Sequence, residues 1–357
     1  MIALRRLPLI FCSTCFLQAS KSGVLIVIGW KPFSWDSNTA SARLRCFVPC
    51  AQLKQAGWPC ELFEISRLND YKLVVFQKAY TTEDIGLARQ LKARKAKIVF
   101  DLCDNHFYRM THQPNRAEEL HRLEQMVELA DMVSVSTSEL AKLIPQKTTA
   151  VIDDAMEDFS ENGLRNFFIR KFGLWHHRFS KCVRLVWFGT AGSEDPPFGL
   201  INLAAIVSEL NELNVSMPVS LTVLSNSKDK FEKQIRDVKF PVRFYKWNRD
   251  SFRAIFQQHD VCLLPISKNP FTVCKTNNRL LLSLRLGIPV VADKIPSYEE
   301  FSGFVPFGDW QKNIRAYIEN PESGRASVKN AQAYIQNKYH DKRTVQQWSD
   351  LLGSMLY

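Results

Sequence analysis

The sequence predicts an α/β protein made of two doubly wound parallel sheets, and three observations support this. Apolar strand-like runs and helical patterns alternate along the 357 residues, as is typical of parallel strands joined by helical crossovers. The alternation lapses between 153 and 182, so it forms two series. Residues 260–300 contain the clearest βαβ unit, in which a buried strand ends at Pro265 and the following helix stops at Gly287.

The first series begins with the apolar run at 24–30. A polar loop and a long helix follow, and the helix is expected to end at Ala56-Gly57-Trp58-Pro59, a strong stop signal. The predicted strands are 24–30, 61–65, 73–76, 98–101, 132–135 and 150–152, and the predicted helices are 39–55, 82–93, 116–130 and 138–143.

The second series follows a connection of mixed charges and aromatics that contains a short predicted helix at 166–172. Asp250 or Ser251 is expected to cap the helix at 251–259. The predicted strands are 183–188, 220–224, 242–245, 261–264 and 288–292; the predicted helices are 200–213, 228–238, 251–259, 277–286, 310–319, 325–338 and 344–355.

Composition indicates a folded protein with an anionic partner. Apolar residues make up 46% and charged residues 23% of the chain, and the formal net charge is +11. Such a charge suits nucleotide phosphates, an acidic membrane surface or nucleic acid. The cations are spread along the chain without a dense basic run, so we predict no nucleic-acid partner. Nine cysteines, an odd number, favour a reducing compartment.

Residues 1–21 have two early arginines and a short apolar run, as a secretory signal does. The alternatives are a loosely ordered extension or an upstream start codon, and we favour these because the rest of the chain resembles a cytosolic enzyme. No apolar run approaches the roughly 18 to 20 residues of a membrane span.

The start of the helix at 277–286 is rich in polar and basic groups. A helix N-terminus has unpaired N–H groups and partial positive charge, so added cations make it suitable for a phosphate. Lys275 and Arg279 are four residues apart and would lie on one helix face if both are helical. The polar residues at this helix start are Lys275, Thr276, Asn277, Asn278 and Arg279.

This segment, a strand ending in Pro, then K-T-N-N-R-L-L, a Gly, and I-P-V-V-A, resembles the donor-binding half of family-4-like GT-B glycosyltransferases. The resemblance implies two Rossmann-like domains facing a cleft, with C-terminal helices crossing back to the first domain. The chain departs from the family at Leu282, where a glutamate usually holds the donor ribose. The implied divisions are 1–21 (extension), 22–160 (acceptor domain), 161–182 (linker), 183–320 (donor domain) and 321–357 (C-terminal helices).

Two further segments of the second series are donor-site candidates. The turn Gly189, Thr190, Ala191 follows a strand, and a glycine there lets backbone approach a ligand closely. The resemblance places such a turn beside the donor phosphates. Trp247 follows the strand at 242–245 and could stack on a nucleobase or pack between the domains.

The first series contributes polar residues beyond the strand at 98–101. Asp104 and His106 are candidate catalytic groups, with Asp104 able to orient or deprotonate an acceptor hydroxyl if the reaction inverts. Asn105 is a candidate acceptor contact, and an Asx turn is the structural alternative. The resemblance adds Ser41 and Arg43 as acceptor contacts.

The sequence favours chemistry without a metal or cofactor. His176–His177 and Asp153–Asp154 are isolated pairs without metal-ligand spacing. We therefore predict a metal-independent hexosyltransferase that moves a sugar from a nucleotide donor to a glycan, lipid-linked or protein acceptor in polysaccharide biosynthesis. It is expected in the cytoplasm, with peripheral contact at the inner membrane face allowed by its basic surface. The alternative is a catalytically silent GT-B binding module in surface polysaccharide assembly, which Leu282 favours.

Overall fold

The computed structural model describes residues 26–108, 116–157, 159, 163–174 and 181–356. The predicted extension 1–21 and the pair His176–His177 lie outside the described residues. Two larger parallel sheets, of six and five strands, are present with helices between their strands, which confirms the predicted fold class.

The first sheet has the strand order β2-β1-β3-β4-β5-β6, and every neighbouring pair is parallel. Its inner strands are buried on both faces, as near-continuous apolar runs predict. The strands are β1 (Val27–Pro32), β2 (Cys60–Leu62), β3 (Tyr71–Gln77), β4 (Lys97–Leu102), β5 (Met132–Val135) and β6 (Thr149–Val151). The helices are α1 (Ala40–Ala42), α2 (Val48–Gln55), α3 (Thr82–Ala93), α4 (Arg116–Leu129) and α5 (Ser138–Ala141).

The second sheet has the order β11-β10-β7-β12-β13, again all parallel. Helix α6 (Leu164–Phe172) lies in the connection before it. The strands are β7 (Val183–Phe188), β10 (Val219–Ser225), β11 (Val242–Lys246), β12 (Val261–Leu264) and β13 (Val290–Ala292), with the short pair β8 (Gly192–Glu194) and β9 (Pro197–Gly199). The helices are α7 (Leu200–Ala205), α8 (Val207–Ser216), α9 (Lys228–Gln234), α10 (Arg249–Phe256), α11 (Asn278–Arg285), α12 (Trp310–Glu319), α13 (Pro321–Lys338) and α14 (Asp341–Leu356).

The long helix predicted at 39–55 is interrupted by a π-helical turn at Arg43–Phe47, where the amide of Val48 donates to the carbonyl of Arg43. Pro49 follows in the first turn of α2. Since proline has no amide hydrogen, the carbonyl of Arg45 cannot receive the usual helical hydrogen bond, and the wider turn accommodates this. Such single π turns are frequent at functional sites.

The turn after β7 continues into the antiparallel hairpin β8–β9, which the sequence pattern did not predict. Both hairpin ends are glycines with positive φ, 76° at Gly192 and 88° at Gly199. A Cβ on Gly192 would lie 1.9 Å from the carbonyl oxygen of Phe198. The hairpin therefore depends on glycine at this position.

The predicted cap of α10 is wrong. Asn248, rather than Asp250 or Ser251, is the N-cap, and its side-chain oxygen accepts hydrogen bonds from the amides of Asp250 and Ser251. An asparagine two residues upstream satisfies two amides of the first turn at once.

The last two helices contact different sheets. Helix α13 packs through Val328, Ala331 and Ile335 on the second-sheet core. Helix α14 reaches the first sheet, where Trp348 is fully buried and meets Trp30 edge-on at 4.7 Å between ring centroids.

Candidate functional site

The two sheets meet where the loop after β4 faces the segment between β12 and α11. The buried Asn105 donates from its side-chain nitrogen to the carbonyl of Pro270, at 2.6 Å. Its side-chain oxygen accepts the amide of Tyr108, so the side chain closes its own loop and contacts the second domain. Asn105, a predicted acceptor residue, thus lies at the contact between the domains.

A three-charge cluster lies beside this contact. The carboxylate of Asp104 accepts hydrogen bonds from Lys275 of the second domain and from Lys78, the latter at 2.8 Å. Side-chain exposure is 15% for Asp104, 11% for Lys78 and 27% for Lys275. Burial opposes ionisation of the carboxyl, but the two lysines outweigh it and hold the pKa of Asp104 well below its usual range. Asp104 and Lys275 are therefore brought together across the cleft.

His106 lies in the same loop and is held by Tyr80, whose hydroxyl is 2.7 Å from Nδ1. Burial, reinforced by the nearby Lys78, lowers the pKa of His106 to about 3. The imidazole is accordingly neutral near pH 7, when it can donate or accept a hydrogen bond but carries no charge.

Lys275 precedes α11 in an extended conformation, after the short 3₁₀ helix Thr272–Cys274. It is not helical, so the condition for a shared helix face with Arg279 is not met. Its ammonium lies 4.2 Å from the ring centroid of Phe271 and 5.3 Å from that of Phe198 in β9. Two aromatic faces and one carboxylate thus surround this cation.

Arg279, in the first turn of α11, extends toward the end of β7 and donates to the carbonyl of Phe188, at 3.2 Å. A Cβ on Gly189 would lie 3.1 Å from the Arg279 Nη1 atom. Gly189 therefore leaves room for the guanidinium at the strand end. Thr190 is exposed, and the amide of Ala191 donates to Asn226 at 2.8 Å.

The residues at the start of α11 make contacts in two directions. Thr276 donates to Asp154, which follows β6, at 2.7 Å. The side-chain nitrogen of Asn277 donates to Glu300 at 3.1 Å and approaches the Tyr339 hydroxyl at 2.9 Å. Asn278 is half-buried.

Leu282, one turn further along α11, is half-buried and packs against the second-sheet core. The position where the family's ribose-binding glutamate is expected is thus part of the apolar packing.

Arg43 is buried and paired with Glu157, with Nε 2.7 Å from Oε2. Its guanidinium also lies 5.0 Å from the ring centroid of Trp247. Glu157 in turn lies 3.5 Å from Arg249 of α10. Arg43 and Trp247 therefore contact each other between the domains, while Ser41 is half-buried at the helix start.

Sequence reasoning missed Lys78 and Asp154. Asp154 accepts from Thr276, lies 3.6 Å from the guanidinium of Arg45, and has a pKa that burial raises. Lys78 directly follows β3, and Asp154 lies three residues after the end of β6. Their position just after predicted strand ends was the signal that could have identified them.

The arrangement can bind an anion between two domains. Lys275, Arg279 and the amide groups at the start of α11 supply positive charge from the second domain. Asp104 and His106 approach from the first domain. Within the described ranges, no group of three or more His, Cys, Asp or Glu residues could hold a metal ion.

Comparison with solved structures identifies the fold. One neighbour is a point mutant of the S. aureus protein TarM in complex with fondaparinux, α-GlcNAc-glycerol and UDP, with a TM-score of 0.57 at 12% identity over 79% of this chain and 55% of that one. Another is the pneumococcal O-GlcNAc transferase GtfA in complex with UDP and GlcNAc, with a TM-score of 0.52 at 13% identity over 88% and 60%. The chain has the GT-B fold.

A third GT-B-like neighbour is a UDP-GlcNAc 2-epimerase from Neisseria meningitidis bound to UDP-GlcNAc. Its TM-score is 0.53 at 13% identity, covering 92% of this chain and all of that one. The present chain spans 55% of the length of TarM and 60% of that of GtfA. No protein-family model matches the sequence, and no curated protein matches it.

Proposed function

We propose that this GT-B protein is a glycosyltransferase that uses a nucleotide-sugar donor and no metal. The observation that carries the proposal is the position of Lys275, a second-domain cation that faces the first-domain carboxylate Asp104 across the cleft. A glycosyl transfer releases a nucleoside diphosphate, and its charge must be neutralised as the bond breaks. Lys275, Arg279 and the start of α11 supply that positive charge.

Asp104 has a role different from that of a general base in this proposal. A carboxylate whose pKa lies well below its usual range is a weak proton acceptor at neutral pH. We assign Asp104 to holding Lys275 before the donor arrives. His106, neutral near pH 7, is the better candidate for a hydrogen bond to the acceptor.

The remaining elements of the proposal concern the acceptor and the setting. The acceptor would be a glycan, a lipid-linked sugar or a protein, and it would bind on the side of Ser41 and Asn105. We place the reaction in polysaccharide biosynthesis, in the cytoplasm at the inner membrane face. Of the helices in the described part of the chain, none has both the length and the apolar character that crossing a bilayer requires.

The test is a thermal-shift panel with UDP, GDP, ADP and CMP, each with magnesium and with a chelator. A ligand at a hundredfold excess over its dissociation constant stabilises by about 2.7 kcal/mol. We expect one diphosphate to stabilise the protein equally with chelator, and Lys275→Ala to lose that shift. Lys294→Ala is the control, because this side chain is 47% exposed and pairs with Glu299. An undiminished shift in Lys275→Ala would place the donor elsewhere.

A second candidate is epimerisation of a nucleotide sugar, favoured by the epimerase neighbour that matches over its whole length. An epimerase inverts one carbon of the donor sugar and needs no acceptor. Incubation with UDP-GlcNAc, followed by separation of UDP and of the two epimers, distinguishes the two activities. The silent binding module is not favoured, because the neighbours described above include an O-GlcNAc transferase and an epimerase.

A further inference from the structure

Helix α6 (Leu164–Phe172) is attached to the second domain by one face. The side-chain nitrogen of the buried Asn166 donates to the carbonyl of Asp250 in α10, at 2.6 Å. Ile169, one turn later, packs against the second-sheet core. These contacts fix which side of the helix faces away from the protein.

The outward face of α6 is apolar. Leu164 is 79% exposed, Phe167 50% and Phe168 55%. A surface helix that buries one apolar face ordinarily presents polar residues on the other. Adjacent exposed rings on a helix that is already packed are therefore unusual for a monomer in water, and such patches mark interaction sites.

The charge of this helix has one sign. Arg165, Arg170 and Lys171 occur between 164 and 174, and the segment has no acidic residue. The Lys171 ammonium lies 5.6 Å from the ring centroid of Phe167, so this positive charge lies beside the apolar face. Aromatic and leucine side chains together with lysine and arginine form the composition of helices that lie in an anionic membrane interface.

We propose that α6 binds the surface of an anionic lipid bilayer, with Phe167 and Phe168 entering the headgroup region and Lys171 meeting lipid phosphates. Charge decides between the possible occupants. A second copy docked through the same helix would bring two sets of cations together, and the whole chain already has a net charge of +11. An anionic membrane can bury the exposed rings and attract the cations.

The experiment uses the full chain in vesicle co-sedimentation, with phosphatidylcholine alone and with phosphatidylcholine containing one third phosphatidylglycerol. The test variant is Phe167→Ser/Phe168→Ser, and Lys171→Glu tests the charge. The matched control is Ile65→Ser/Val215→Ser, which removes two apolar side chains exposed by 67% and 88% on other parts of the surface. Thermal unfolding of each variant verifies that it is folded.

We expect the intact chain to bind the anionic vesicles, and we expect the control variant to bind them equally well. The double phenylalanine variant should bind at least about tenfold more weakly, since each ring inserted into the interface contributes of the order of a tenfold factor. Lys171→Glu should weaken binding to anionic vesicles about tenfold or more, because it reverses one charge near the surface. Equal binding by the intact chain and the phenylalanine variant would overturn the proposal. The proposal would also be overturned if the intact chain bound no vesicles and instead formed a concentration-dependent dimer that only the phenylalanine variant lost.

Discussion

Replacing Asp104 by asparagine tests the charge cluster between the domains. The substitution keeps the side chain's size and removes its charge, which leaves Lys78 and Lys275 facing a neutral group. At the 2.8 Å between Asp104 and Lys78, the gross attraction is about 6 kcal/mol at an effective dielectric constant of about 20. Desolvation offsets part of this, and breaking a buried pair of this kind costs about 3 kcal/mol net.

We expect the ligand-free midpoint of Asp104→Asn to fall by about 6 °C, at about 2 °C per kcal/mol for a domain of this size. The control is Asp70→Asn, whose carboxylate pairs with Arg67 at 3.1 Å but is 50% exposed. Solvent screens such a pair, so its loss should move the midpoint by no more than about 1 °C. Equal midpoints for Asp104→Asn and Asp70→Asn would refute a stabilising role for the charge cluster.

The same variant separates two roles of Asp104. If the carboxylate only holds Lys275, its removal frees the lysine. The diphosphate should then bind about fivefold more tightly, which corresponds to about 1 kcal/mol of binding free energy. If Asp104 is the base for the acceptor, the transfer rate falls while diphosphate affinity stays the same. Isothermal titration with the diphosphate and a transfer assay on one preparation decide between them.

Two further predictions concern stability. The pKa of His106 is about 3 in the folded protein, below its value of about 6.5 in the unfolded chain. Its contribution to the unfolding free energy is therefore full above pH 6.5 and is lost as the pH falls toward 3. Between pH 6.5 and 4.5 the loss is up to about 1.4 kcal/mol of unfolding free energy per pH unit. In urea unfolding at several pH values, this dependence on pH should be shallower for His106→Phe than for the intact chain or for His121→Asn, a control at an exposed position of α4. Identical slopes would contradict the prediction. Trp348→Ala should cost about 3 to 5 kcal/mol, because this fully buried ring packs on Trp30, whereas Trp35→Ala removes a ring that is 58% exposed and should change the urea midpoint little.

Much of the fold could be predicted because buried parallel strands are continuous apolar runs. The predicted strand at 183–188 is Val183–Phe188, and the one at 261–264 is Val261–Leu264. The hairpin β8–β9 was missed because its strands have three residues each and no apolar alternation. The π turn at Arg43–Phe47 was missed because it depends on a single proline within an otherwise helical pattern.

The candidate site could be predicted only in part. Polar residues after strand ends were expected to face one crevice, and Asp104 and Lys275 do meet there although 171 residues separate them. Their partners could not be predicted, because the contact of Thr276 with Asp154 depends on how the two domains meet. Local sequence patterns encode the ends of strands but not the relative position of two sheets.

The contacts across the cleft have a consequence for how a donor would enter. Acidic groups of the first part of the chain, Asp104, Asp154 and Glu157, meet Lys275, Thr276 and Arg249 of the second domain. A diphosphate carries the same sign of charge as those carboxylates and would compete with Asp104 for Lys275. A ligand shifts a conformational equilibrium only by its difference in affinity between the two states. Donor binding should therefore weaken the contact between Asp104 and Lys275.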